Sequence, residues 1–265
     1  MKTKKLVWLL LFVFATATVS LSFTSCKDPG PDGPDGPDGP GPGPGPGPNP
    51  SAMLPDSIMN GSDFYCIYMS EGMTAELGSK VKVPTMMRDY DIWPAGETLV
   101  FTDRMGINAY GFPDAWISAD AAGDLGWNGG GIIALVDQFE NVPDLSVLDA
   151  SYTFHIAMKS PTNQPTAGLS ISLNSEGSEV GFYFGPQANA GTRIWGGNYP
   201  HDGEWHHFEI PMSQILAKGY LWTGPLTGPS AESVRRYLLS FMATPHMVGA
   251  EINLDAIFFY KKPAK

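Results

Sequence analysis

The sequence predicts an all-β sandwich, and three observations predict it. Short apolar or alternating segments recur along residues 51–265, each bounded by Gly, Pro, Asn or Asp. Helical periodicity is scarce. About 215 residues follow Pro50 (265 less 50), enough for one large β domain with its own core. The expected strands are 63–69, 98–102, 107–110, 115–118, 131–137, 151–159, 168–174, 179–184, 192–195, 205–211, 238–243 and 250–260. Met212 to Lys218, after Pro211 and before Gly219, predicts one short helix; Ser230 to Leu238 predicts another.

The chain opens with Lys2, Lys4 and Lys5, then an apolar run from Leu6 to Phe23, then Thr24-Ser25-Cys26. A basic start, an apolar stretch and small residues before a cut site predict a removable export signal over 1–25. The apolar run is also just long enough to be considered as a membrane anchor. A cysteine directly after the small residues resembles the lipobox of bacterial lipoproteins. That resemblance implies that Cys26 becomes the acylated first residue of the mature chain.

Residues 26–50 carry the lipidated cysteine and a Pro/Gly tract expected to stay unfolded. Gly-Pro-Asp repeats three times from Gly30, then collapses to alternating Gly-Pro from Gly39, so a collagen period fails. Proline fixes φ and removes a donor, which makes the tract a semi-rigid spacer reaching on the order of 25–70 Å. Asp28, Asp32, Asp35 and Asp38 follow Cys26 closely. Acids there resemble the surface-export signals of Bacteroidetes lipoproteins. The expected location is the outer membrane, facing the medium, with a periplasmic orientation as the alternative.

Composition narrows the partners. The formal net charge is −11, and loss of three leader lysines would take it to −14. So acidic a surface argues against nucleic acid and anionic lipid, and is compatible with neutral polysaccharide. The chain has two cysteines. With Cys26 lipidated, Cys66 in Phe64-Tyr65-Cys66-Ile67-Tyr68 is expected as a small buried residue, with no disulfide framework or cysteine zinc site.

Alternation assigns faces. Tyr152, Phe154, Ile156 and Met158 are expected in the core, and Thr153, His155, Ala157 and Lys159 on the polar side. Leu169, Ile171 and Leu173 alternate with Ser170, Ser172 and Asn174. Residues 251–260 are apolar on both faces near their end and predict a central strand.

Asp202-Gly203-Glu204-Trp205-His206-His207-Phe208-Glu209-Ile210-Pro211, followed later by Ile252-x-Leu254-Asp255-x-Ile257-x-Phe259, resembles carbohydrate-binding jelly rolls of the galactose-binding-like type. Gly181-Phe182-Tyr183-Phe184 falls in the expected order between them. The resemblance covers roughly residues 130–260 and implies a jelly-roll sandwich that binds glycans. It also implies a structural calcium at Asp255, set against a plain tie to backbone amides; calcium needs several oxygen ligands. No other cofactor is required.

Sugars present C–H patches among hydroxyls, which suits exposed aromatic rings beside polar groups. Trp93, Trp127, Trp195, Tyr199 and Trp222 lie in Gly-rich or Pro-rich stretches, with Asn128 and Asn198 adjacent, and these seven form the expected carbohydrate site. The neighbouring glycines are expected to open the ring faces to ligand. The alternative for each ring is capping of the sandwich core. Trp116 and Trp205 are expected to be structural. His206 and His207 are adjacent and so face opposite sides, and no metal-binding histidine spacing occurs.

No paired-carboxylate pattern or Gly-x-Ser-x-Gly elbow is visible, and no catalytic residue is assigned. The leading expectation is a surface-tethered lipoprotein that captures polysaccharide or oligosaccharide in an aromatic-lined groove. It would be held to the membrane by its lipid and work beside neighbouring glycan-uptake proteins, with no nucleic-acid partner. The alternatives are a glycoside hydrolase or polysaccharide lyase on the same sandwich, and a structural or adhesive, fimbrial-type lipoprotein.

Overall fold

A computed structural model describes residues 56–93, 99–121, 128–134, 144–161, 169–175, 179–222, 239–243 and 249–264. The leader, Cys26 and the Pro/Gly tract lie outside the described residues, as do the helix expected at 230–238 and Trp127.

Two sheets form a jelly-roll sandwich. The seven-stranded sheet contains β1 (Ser62–Tyr68), β2 (Val81–Val83), β4 (Leu99–Ile107), β5 (Pro113–Ala121), β7 (Tyr152–Lys159), β11 (His206–Pro211) and β13 (Glu251–Lys261). The six-stranded sheet runs β10 (Ile194–Gly197), β9 (Glu179–Phe184), β8 (Leu169–Asn174), β12 (Leu239–Ala243), β6 (Asn128–Ala134), β3 (Met87–Trp93). The chain passes repeatedly from one sheet to the other. Residues 51–110 contribute β1 to β4 to this sandwich.

Between the sheets lies the main core. The expected inward residues Phe154, Ile156 and Met158 meet Ile171, Phe182, Leu239, Leu254 and Phe259 there. A second, smaller core covers the far side of the seven-stranded sheet. Two short helices not foreseen from sequence, α1 (Asp56–Met59) and α2 (Glu71–Leu77), supply Ile58, Met73 and Leu77 to it. The Ser70 hydroxyl caps α2 by accepting from the Met73 amide at 3.4 Å. Cys66 is buried in this second core, and burial pushes its thiol up to about 12. The helix expected after Pro211 is present as α3 (Met212–Ala217).

The second core corrects the polar face expected for β7. Thr153, His155 and Ala157 are all buried, because the helical layer covers that face. His155 stacks on Phe258 at 4.6 Å, and its Nδ1–H donates to the Ala256 carbonyl at 2.7 Å. Its Nε2 must then accept, and the Nδ1 of His207 donates to it at 3.2 Å. His206 turns the other way, onto Asp202 at 2.9 Å. Buried His155 and half-buried His207 are therefore neutral; desolvation pulls His155 down to about 3 and His207 to about 4.

The strand β13 is central, between β7 on one side and β5 and then β1 on the other. Its register shifts between Asp255 and Phe258, and Ala256 adopts φ +53°. Asp255 holds this bulge. One carboxylate oxygen accepts from the Ala256 amide at 2.7 Å and the other from the Ala109 amide at 3.0 Å. Burial raises its carboxyl to about 7 despite those two amides.

The pH dependence of stability follows from these groups. The depressed histidines bind protons only when unfolded, so their stability is present above about pH 6.5 and is lost as pH falls towards 4. The raised Asp255 works in the opposite sense between about pH 7 and 4. Two histidines against one aspartate leave a net uptake near one proton on unfolding. We expect urea midpoints to fall with acidification from pH 6.5 to 4, at up to about 1.4 kcal/mol per pH unit. His155→Phe should flatten that slope.

Candidate functional site

The outward face of the six-stranded sheet is built by alternation and register. Leu169, Ile171 and Leu173 on β8, Val180, Phe182 and Phe184 on β9, and Ile194 on β10 enter the main core. Their sequence neighbours therefore point away from it. Strand pairing lines these outward positions into rows across the sheet. One row runs Ser170, Tyr183, Trp195. In the other direction it continues through Met242 and Gly129 to Trp93. The next row carries Ser172 and Gly181, with Ser240 and Gly131 beyond them.

The row from Trp93 to Trp195 thus crosses all six strands. Five strand spacings make it about 24 Å long, at about 4.8 Å each. Glycine and serine occupy much of its middle. Trp195 is 39% exposed at the β10 end, and its indole N–H donates to the Gly185 carbonyl at 2.8 Å, which fixes the ring's orientation. Tyr183, its partner on β9, is buried at 4% exposure. Polar groups sit alongside: Ser172 donates to Glu179, and Asn174 Nδ2 donates to the Ser240 hydroxyl at 3.0 Å. Asn198, exposed, follows β10 directly.

Of the expected carbohydrate residues, Trp195 and Asn198 lie at one end of this face. The register places Trp93 and Asn128 at the other side of the sheet, on β3 and β6; their side chains are outside the described residues. Tyr199 and Trp222 are corrections. Both are 6% exposed and belong to the main core, together with Tyr220 and the α3 residues Met212 and Ile215.

The glycines beside Trp195 are a second correction. A Cβ on Gly196 would overlap the Phe184 ring, and one on Gly197 would stand 2.9 Å from Phe208 Cδ1. Gly197 also adopts φ +138°. These glycines let β10 close onto core rings; they do not open the indole face. Trp116 and Trp205 are structural as expected, edge to face at 5.8 Å with Lys159 Nζ over both rings.

Asp255 spends both oxygens on backbone amides, and among the described residues no group of three or more His, Cys, Asp or Glu side chains could hold a metal. Sequence reasoning missed Ser170, Ser172 and Tyr183. The alternation in 168–174 already marked the two serines as outward, but only the pairing register aligns them with Tyr183 and Trp195.

No family model matches the chain, and no curated protein matches it. Thirty-six solved chains match. A family 30 carbohydrate-binding module is 12% identical with TM-score 0.39, covering 65% of this chain and 88% of its own. A family 11 carbohydrate-binding module of a cellulosomal cellulase of Clostridium thermocellum is 11% identical with TM-score 0.35, covering 67% and 90%. An exo-β-agarase is 12% identical with TM-score 0.34; this chain covers 23% of its length.

Separating core rings from face rings yields three expectations. Trp222→Ala should cost about 3–5 kcal/mol, read as a large drop in melting temperature. Gly196→Ala should cost about 1–3 kcal/mol by overpacking against Phe184. Trp195→Ala should leave the melting temperature within about 2 °C.

Proposed function

We propose that this protein binds polysaccharide or oligosaccharide without cleaving it, on the outward face of the six-stranded sheet. The observation that carries the reading is the aligned row Ser170, Tyr183, Trp195, which the backbone register extends through Met242 and Gly129 to Trp93. An extended glycan laid across the strands would meet an exposed indole at the β10 end and serine hydroxyls along its length. The row ends at both sheet edges, which suits the interior of a chain and not only its terminus. Lining by flat rings and fixed hydroxyls matches the mixed C–H and O–H surface of a pyranose.

The magnitude is sufficient. Covering the exposed share of the Trp195 ring contributes about 2 kcal/mol at about 25 cal/mol/Å². A second ring and a few hydrogen bonds bring binding to about −4 to −8 kcal/mol, millimolar to micromolar. In the same proposal, acylated Cys26 and the Pro/Gly spacer hold the module off an outer membrane, facing the medium, and the captured glycan passes to neighbouring uptake proteins. The spacer's reach and the acyl-cysteine signature support that part.

Affinity electrophoresis against glucan, xylan, mannan, galactan and pectin tests the binding. Retardation by at least one polymer is expected, and Trp195→Ala should weaken it roughly thirtyfold, the equivalent of about 2 kcal/mol. Release of oligosaccharide from any polymer would move the assignment to a hydrolase or lyase. Absence of retardation by every polymer would refute the binding role. Metabolic labelling with palmitate checks the tether: label should be lost in Cys26→Ala.

A further inference from the structure

We infer that the glycan taken by this face carries an anionic substituent, a carboxylate or a sulfate ester, and that Arg193 recognises it. The inference rests on the binding role proposed above and narrows its ligand class.

Arg193 precedes β10 and lies two residues before Trp195, so the two share a side of the strand. Its side chain lies flat on the sheet. Cγ, Cδ and Nε sit 3.0, 3.3 and 3.5 Å from the place a Cβ on Gly181 would take. Gly181 is the outward residue between Ser172 and Arg193, so the absence of a side chain there is what lets the stem lie down. The stem is thereby laid across β9 at Gly181, two residues along the sheet from the Tyr183–Trp195 pair.

This cation differs from the others. Lys82 and Lys261 pair with Asp63, Arg104 with Asp120, and Lys262 with Glu209. Lys159 is held over two indoles, and Lys80 and Lys218 donate to backbone carbonyls. Among the described residues, Arg193 makes no ion pair and no side-chain hydrogen bond, although the protein carries a net charge of −11.

A planar guanidinium offers paired N–H donors that match the two oxygens of a carboxylate or of a sulfate group. The acidic surface repels polyanions at long range, but that repulsion is screened beyond about 8 Å at physiological salt. An anion covalently fixed to a sugar ring stacked on Trp195 arrives within that distance. The net charge then acts as a filter: polyanions lacking a stackable ring gain nothing from Arg193 alone.

Titration calorimetry on the full chain with two polymer pairs tests this. One pair is polygalacturonate and its carboxyl-reduced galactan; the other is a sulfated galactan and its desulfated form. The anionic member of one pair should bind at least about tenfold tighter than its neutral partner, and which pair does so identifies the substituent. Arg193→Gln should abolish that preference with an unchanged melting temperature. Gly181→Val should weaken the anionic ligand likewise, by lifting the stem while keeping the charge. If neutral polymers bind equally and need Trp195 but not Arg193, the anionic inference falls and the binding face stands. If none of the four binds, and no glycan retards the protein, the binding face falls with it.

Discussion

The fold depends on one constraint: β13 is buried on both faces and paired along both edges. Such a strand has no solvent to satisfy an unmade backbone bond, and leaving a buried amide or carbonyl unpaired costs on the order of 1–3 kcal/mol. Yet its ladder breaks at Asp255–Ala256, where the strand changes partner from β5 to β1. Side chains repair the break. Asp255 takes up the Ala109 and Ala256 amides, and His155 supplies a donor to the Ala256 carbonyl. His207 then completes the second nitrogen of His155. A buried acid, a buried imidazole and a half-buried one, which would look like chemistry elsewhere, are accounted for by this backbone repair.

The repair has an architectural consequence. Because β13 switches partners, the seven-stranded sheet can carry β1 and β2 on one side of the bulge and β5 and β4 on the other. The N-terminal segment with α1 and α2 is thereby brought over the far face, where Phe64, Phe258 and Tyr260 pack against one another. That sheet is covered on both sides at this end. The described helices pack against it, α3 included, through β7 and β11. On the outward side of the six-stranded sheet, Trp195 is exposed while Tyr183 and Ser172 are buried.

Within that sheet, glycine decides geometry at two levels. Gly196 and Gly197 give way to Phe184 and Phe208, so β10 seats against the core and Trp195 is turned outward. Gly181 gives way to the stem of Arg193, so a charged side chain lies along the platform and does not stand off it. The first arrangement fixes an apolar contact and the second a directional charge. In the proposed binding mode, the first would hold a sugar ring and the second its substituent.

The sequence by itself determined the sandwich class, most of the strands and α3, because period-two alternation and turn residues are local signals. It also determined that β13 is central, since only a strand buried on both sides is apolar on both. It could not separate Trp195 from Trp222 and Tyr199. All three sit among glycines, prolines and turns, and burial depends on which chain segment closes over a ring. Nor could it reveal the row of Ser170, Tyr183 and Trp195. Those residues are scattered in sequence, and the register that aligns them is fixed by packing of the opposite faces into a common core.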